Sequence, residues 1–151
     1  MRLLTYEDCR VYIQEGGQDR KYNLARLLEK ARTLYVPEAV TLVYLKGLFS
    51  EDGTEVFLLT KDGRMILARL DLEQQEIEVT VLSLSEIVEI AFRTHYRLDH
   101  PIELRIKFRN GREVVFSPKT DANESWVDEY QTYIKKWAET LSTQLATGQS
   151  D

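Results

Sequence analysis

Few residues in this sequence have the chemistry to act on a ligand, and their spacing decides among them. Cys9 is the single thiol. A reactive cysteine needs a neighbour that favours the thiolate, whereas Glu7 and Asp8 stand beside it and raise its pKa. It reads as a small packed side chain. His95 and His100 flank a turn with Asp99 beside the second. A transition-metal site takes three or four ligands at defined spacing, and no further His or Cys exists to complete one. These read as loop histidines, and no metal or cofactor is expected. Glu86, Glu89 and the run Asp71-Leu72-Glu73 offer carboxylates for general acid–base work, but a solvated strand edge accounts for them better. Neither Gly16-Gly17 nor Asp62-Gly63 belongs to a phosphate-cradling glycine pattern, and no serine sits in a Gly-x-Ser-x-Gly elbow. No catalytic residue is assigned, and the chain reads as a protein other than an enzyme.

One charge cluster has a shape. Arg93, Arg97, Arg105, Lys107, Arg109 and Arg112, placed on adjacent antiparallel strands, would form a basic stripe able to hold an acidic peptide or a phosphate. The competing reading is a solvated outer face, partly neutralised by Glu103 and Glu113.

The elements that must position these residues follow from periodicity. Residues 5–14 predict a short helix, with Thr5 as N-cap and Asp8 as its capping-box partner, ended by Gly16-Gly17. Leu24, Leu27, Leu28 and Ala31 fall at i, i+3, i+4 and i+7, the stripe of a second helix capped by Asp19 and stopped by Pro37. From Val40 the period becomes two. Strands are expected at Val40–Phe49, Val56–Thr60, Arg64–Leu72, around Ile77, Val79 and Val81, and at Ile87–Thr94. Ile102–Phe108 and Arg112–Phe116 then form a hairpin around Asn110-Gly111. Turns too short for a crossover make the sheet mainly antiparallel.

Parity sets the register of that hairpin. A two-residue turn would place Phe108 opposite Glu113, a charge against an apolar group. A three-residue loop, Arg109-Asn110-Gly111, with Gly111 left-handed as a bulge, sets Ile106 against Val114, Leu104 against Phe116 and Lys107 against Glu113. The bulge is expected. A C-terminal helix starts near Ser125, with Asp128 as a capping-box partner, and carries an apolar stripe of Trp126, Tyr130, Ile134, Trp137, Leu141 and Leu145.

Seven antiparallel strands closed by one helix with a Trp on its apolar face resemble the pleckstrin-homology (PH-like) superfold. The stretches Phe57–Leu67, Leu82–Ile90 and Ile106–Phe116 are similar to strand–turn–strand segments of bacterial PH-like domains. The resemblance implies an α+β fold, a PH-like sandwich or barrel capped by the helix. The resemblance covers roughly residues 40–145, so the chain is expected to divide into an N-terminal helical segment at 1–37 packed on the domain, a PH-like domain at 38–146 and, from its small polar residues, a disordered tail at 147–151. The resemblance also implies a binding platform for lipid headgroups, peptides or other proteins rather than catalysis, and the first expectation is a noncatalytic interaction module for a protein or peptide, with a homo-oligomer among the partners. The alternative is a peripheral membrane or anionic-ligand binder working through the Arg93–Arg112 face. Phosphoinositide-binding members grip phosphates with basic residues of the first strand and its loop. Here Lys46 is followed by the acidic stretch Ser50-Glu51-Asp52-Gly53-Thr54-Glu55, which would repel them.

Composition narrows the partners. A hydrophobic content of 43% over 151 residues can fill an ordinary single core. The net charge of −5 speaks against nucleic acid. With one cysteine no internal disulfide forms, and no apolar run reaches signal-peptide or spanning length. A cytoplasmic protein is expected, with a membrane partner disfavoured.

Overall fold

A computed structural model describes residues 2–15, 19–47 and 53–148. The fold is α+β, with seven antiparallel strands among the described residues, helices before them and a long helix after them. The strands lie in two sheets, the first four in sequence order in one and the last three in sequence order in the other. The expectation of a barrel is corrected on this point, because the strands do not close into one continuous hydrogen-bonded sheet. By contacts the chain divides into two compact units, residues 1–82 and 83–151.

In the first unit, α1 (Tyr6–Gln14) opens on the expected capping box. The Asp8 amide donates to Thr5 Oγ1 at 3.1 Å, and the Asp8 carboxylate accepts the Thr5 and Leu4 amides, each at 3.0 Å. Burial works against that charge, but these amides and Arg2 outweigh it and hold the Asp8 carboxyl below the usual range. The Gly16-Gly17 stop lies outside the described residues. α2 (Asp19–Ala31) buries its stripe of Leu24, Leu27, Leu28 and Ala31 as the spacing implies. It ends sooner than Pro37 requires, in a turn where the Leu34 amide donates to Ala31 O at 2.9 Å.

A single 3-10 turn, Pro37–Ala39, leads into β1 (Val40–Lys46), followed by β2 (Glu55–Thr60), β3 (Arg64–Asp71) and β4 (Glu76–Ser83). β1 ends at Lys46, followed by Gly47 in a left-handed conformation at φ 71°; the expected continuation to Phe49 falls outside the described residues. The outer edge of β1 is not bare: the Val43 amide donates to Leu4 O at 2.8 Å. On β4 the expected alternation of Ile77, Val79 and Val81 slips at its end, where Val81 is exposed and Leu82 is buried.

In the second unit, β5 (Ile87–Thr94), β6 (Pro101–Phe108) and β7 (Glu113–Phe116) form the three-stranded sheet. The hairpin register is the bulged one. Lys107 pairs with Glu113, Ile106 with Val114 and Leu104 with Phe116. Gly111 sits at φ 92°, its amide donates to Phe108 O at 2.9 Å, and the Phe108 amide donates to Arg112 O at 2.9 Å. A Cβ at Gly111 meets no atom within 4 Å, so only the backbone conformation resists substitution there. Gly111→Ala is therefore expected to destabilise by about 1–2 kcal/mol. Urea titration of the variant checks this, and an unchanged midpoint would contradict it.

A four-residue helix, α3 (Pro118–Asp121), precedes the long one and is absent from the sequence reading. Its signal was present: Ser117 is followed by Pro118 at the first helical position, and the buried Asp121 carboxylate accepts the Ser117 amide at 2.8 Å. α4 (Val127–Gly148) then buries Tyr130, Tyr133, Ile134, Trp137 and Leu141, packing on β6. Two expectations are adjusted. The first helical bond runs from the Tyr130 amide to Trp126 O, so Trp126 and not Ser125 stands at the N-cap. Trp126 and Leu145 are only half-buried, whereas Tyr133 joins the core. The helix backbone continues to Gly148, and residues 149–151 lie outside the described range.

Candidate functional site

The six basic residues do not form a uniform stripe. Strand pairing places Glu89, Ala91 and Arg93 of β5 across from Lys107, Arg105 and Glu103 of β6, all on the face turned away from Leu104 and Ile106. Each cation there meets a carboxylate. Arg105 reaches Glu103 at 3.0 Å and Glu113 at 3.7 Å. Lys107 lies 3.8 Å from Glu89 and 4.0 Å from Glu113, and Arg93 lies 3.8 Å from Glu103. Arg109, beyond the strand end, pairs with Glu86 at 3.6 Å. The result is a chequerboard of alternating sign, which leaves little net field for a polyanion. Arg97 sits apart in the β5–β6 loop, its guanidinium 5.0 Å from the Tyr96 ring. Arg112 is in the β6–β7 turn, where its amide donates to Asn110 Oδ1 at 2.9 Å.

The two histidines brace a loop. The His95 amide donates to His100 O at 3.0 Å, and His95 Nδ1 accepts the Arg97 and Leu98 amides at 3.1 and 3.2 Å. Asp99 turns to Lys135 of α4, 2.6 Å away, and this bond holds the Asp99 carboxyl below its usual range. Among the described residues no three His, Cys, Asp or Glu side chains are grouped to hold a metal. Cys9 is fully buried on α1, and burial first, then the Asp8 carboxylate, push its thiol up to about 12. Both effects favour the neutral thiol over the thiolate near neutral pH. Glu86 and Glu89 serve the ion pairs just described, and Asp71 accepts the Gln74 amide at 3.1 Å in the turn after β3.

The feature missed by sequence reasoning is on the opposite face of β5. This strand is the outer member of its sheet, with β6 on one side and no strand on the other among the described residues. It breaks step with β6 at Val88 and near Thr94. Exposed apolar side chains occur on the strand, Val88 and Phe92, and in the loop that follows, Tyr96 and Leu98. Ile90 and Phe92 form one wall of an open groove of about 670 Å³. The C-terminal half of α4 forms the other, with Lys135, Ala138, Glu139, Ser142, Leu145 and Ala146. Small residues at 138, 142 and 146 keep the helix low there, which is why the groove stays open. Its two ionisable side chains are Lys135 and Glu139, and the bond to Asp99 pushes the Lys135 ammonium above its usual range, away from service as a base.

Residues 7–132 match the family model described as Protein of unknown function (DUF3908). No curated protein and no solved structure matches the chain. Among the described residues no helix is long and apolar enough to cross a membrane.

Proposed function

We propose that this chain, which belongs to the family of proteins of unknown function DUF3908, is a noncatalytic interaction module that takes an extended protein segment as an added strand on β5. The observation that carries this reading is the outer edge of β5, paired with no strand among the described residues and flanked by apolar side chains, beside an open groove. An edge strand offers a row of unsatisfied N–H and C=O groups, so a ligand strand gains main-chain hydrogen bonds there, and a groove behind it receives alternate side chains. The contrast with β1 supports it, since the edge of β1 is already met by Leu4. A PH-like architecture belongs to the same reading: seven antiparallel strands followed by a C-terminal helix is the order that the resemblance implies.

The groove is also a poor reaction chamber. It is open to water, and the ammonium of Lys135 is tied to Asp99, so no poised acid–base pair faces a substrate.

The rival reading is attachment to an anionic membrane through the basic residues of β5–β7. Interleaved glutamates oppose it. The test is cosedimentation with vesicles containing phosphatidylserine and phosphoinositide at low salt. The chain is expected to stay in the supernatant. Pelleting of most of the protein, reversed by salt, would replace a protein ligand with a membrane.

A further inference from the structure

We infer that the segment added to β5 is the β5 strand of a second copy of this chain, in an antiparallel register centred on Ala91. This rests on the reading of β5 as the binding edge and names its occupant. Two copies related by a two-fold axis perpendicular to the sheet keep each face of the sheet continuous, so only residues of like parity can oppose one another. Few registers remain, and charge separates them. Centring on Glu89 or on Arg93 sets like charges face to face. Centring on Ile90 or Phe92 leaves Arg93 opposite Ile87 or Ala91. With Ala91 opposite itself, Glu89 of each copy lies across from Arg93 of the other, and Ile90 lies across from Phe92 on the inner face.

Side-chain placement fits that pairing. The side chains of Glu89 and Arg93 are 56% and 63% exposed, and their bonds to β6 are long, at 3.8 Å each. Both can therefore turn toward a neighbouring strand without giving up a tight contact. Phe92, 41% exposed in the single chain, gains Ile90 of the second copy as its cross-strand neighbour. Ala138, Ser142 and Leu145 of α4 line the space behind that pair. Charges along an edge strand discourage indiscriminate pairing, and here the same two charges favour one register.

The test uses the full chain in sedimentation velocity over a range of concentrations at low salt. The wild type is expected to pass from monomer to dimer as concentration rises. Glu89→Arg sets Arg against Arg93, and Arg93→Glu sets Glu against Glu89, so each variant alone should dimerise on the order of tenfold more weakly. An equimolar mixture of the two should recover the dimer, because each pair across the heterodimer is again of opposite sign. Ala91→Cys, with Cys9 buried and silent, should form a disulfide-linked dimer on mild oxidation, since directly opposite strand residues are within disulfide reach. Cysteine at 89 should not, and this second arm stands even if a charge variant folds poorly. A wild type that stays monomeric, or a dimer indifferent to both charge variants and unlinked through position 91, overturns the inference. A monomeric wild type whose β5 still captures another protein would overturn the second-copy assignment alone and leave the interaction-module reading in place.

Discussion

Trp137→Ala is expected to lower stability by about 3–5 kcal/mol, the range for emptying a fully buried large aromatic site. Trp137 is entirely covered and is the largest such side chain among the described residues. Its ring meets Phe116 of β7 edge-on, with centroids 5.1 Å apart and planes at 85°. Tyr130, Tyr133, Ile134 and Leu141 are buried along the same helix, so the indole is one part of a continuous packed face. Denaturant unfolding followed by circular dichroism measures the loss. Trp126→Ala, at a half-buried site before the helix, should cost clearly less. A loss below about 1 kcal/mol at Trp137 would contradict the packing of α4 on its sheet.

The second large effect is expected at Gly47. This residue closes β1 at φ 71°, and a Cβ placed on it would lie 2.0 Å from the carbonyl oxygen of Gly53 and 3.1 Å from its carbon. Those are backbone atoms, which cannot swing aside as a side-chain tip can. Gly47→Ala therefore combines the strain of a left-handed alanine, about 1–2 kcal/mol, with a clash that has to move the strand ends. A total loss above about 2 kcal/mol is expected in urea unfolding, and Gly63→Ala is the control. Gly63 has φ 82°, and a Cβ added there meets nothing within 4 Å, so it isolates the conformational part. Equal losses at the two sites would show that the approach of Gly53 is not close in solution.

Much of the scaffold is legible in the sequence because its signals are local. The alternation of Ile102, Leu104, Ile106 and Phe108 with charged residues marks one strand and its inner face, except that Ile102 lies beside a register break and is exposed. Parity across Arg109-Asn110-Gly111 is enough to choose a bulged hairpin over a tight one. The Thr5–Asp8 capping box is visible at its spacing of three. The place of β5 at the end of its sheet is not, for a physical reason. Ile87–Thr94 reads as a strand in any fold, but whether it lies inside a sheet or at its border depends on which distant strands pair with it. The same holds for charge. A sequence shows Arg93, Arg105 and Lys107 as a cluster, whereas strand register decides that Glu89, Glu103 and Glu113 fall between them. Spacing likewise places Trp126 in the buried stripe, because spacing alone does not show where the first helical turn begins.

On the proposed reading, the outer edge of β5 is where this protein meets its ligand. The most direct measurement places a photo-crosslinking benzoylphenylalanine at Phe92 or, as a control, at Val115, which pairs with Arg105 on the chequerboard face. Each variant is irradiated in cells that make the chain, and adducts are identified by mass spectrometry. Position 92 is expected to yield a discrete protein adduct, a second copy of the chain foremost, while position 115 yields none. Adducts from position 115 with none from position 92 would move the binding surface to the charged face and contradict this reading.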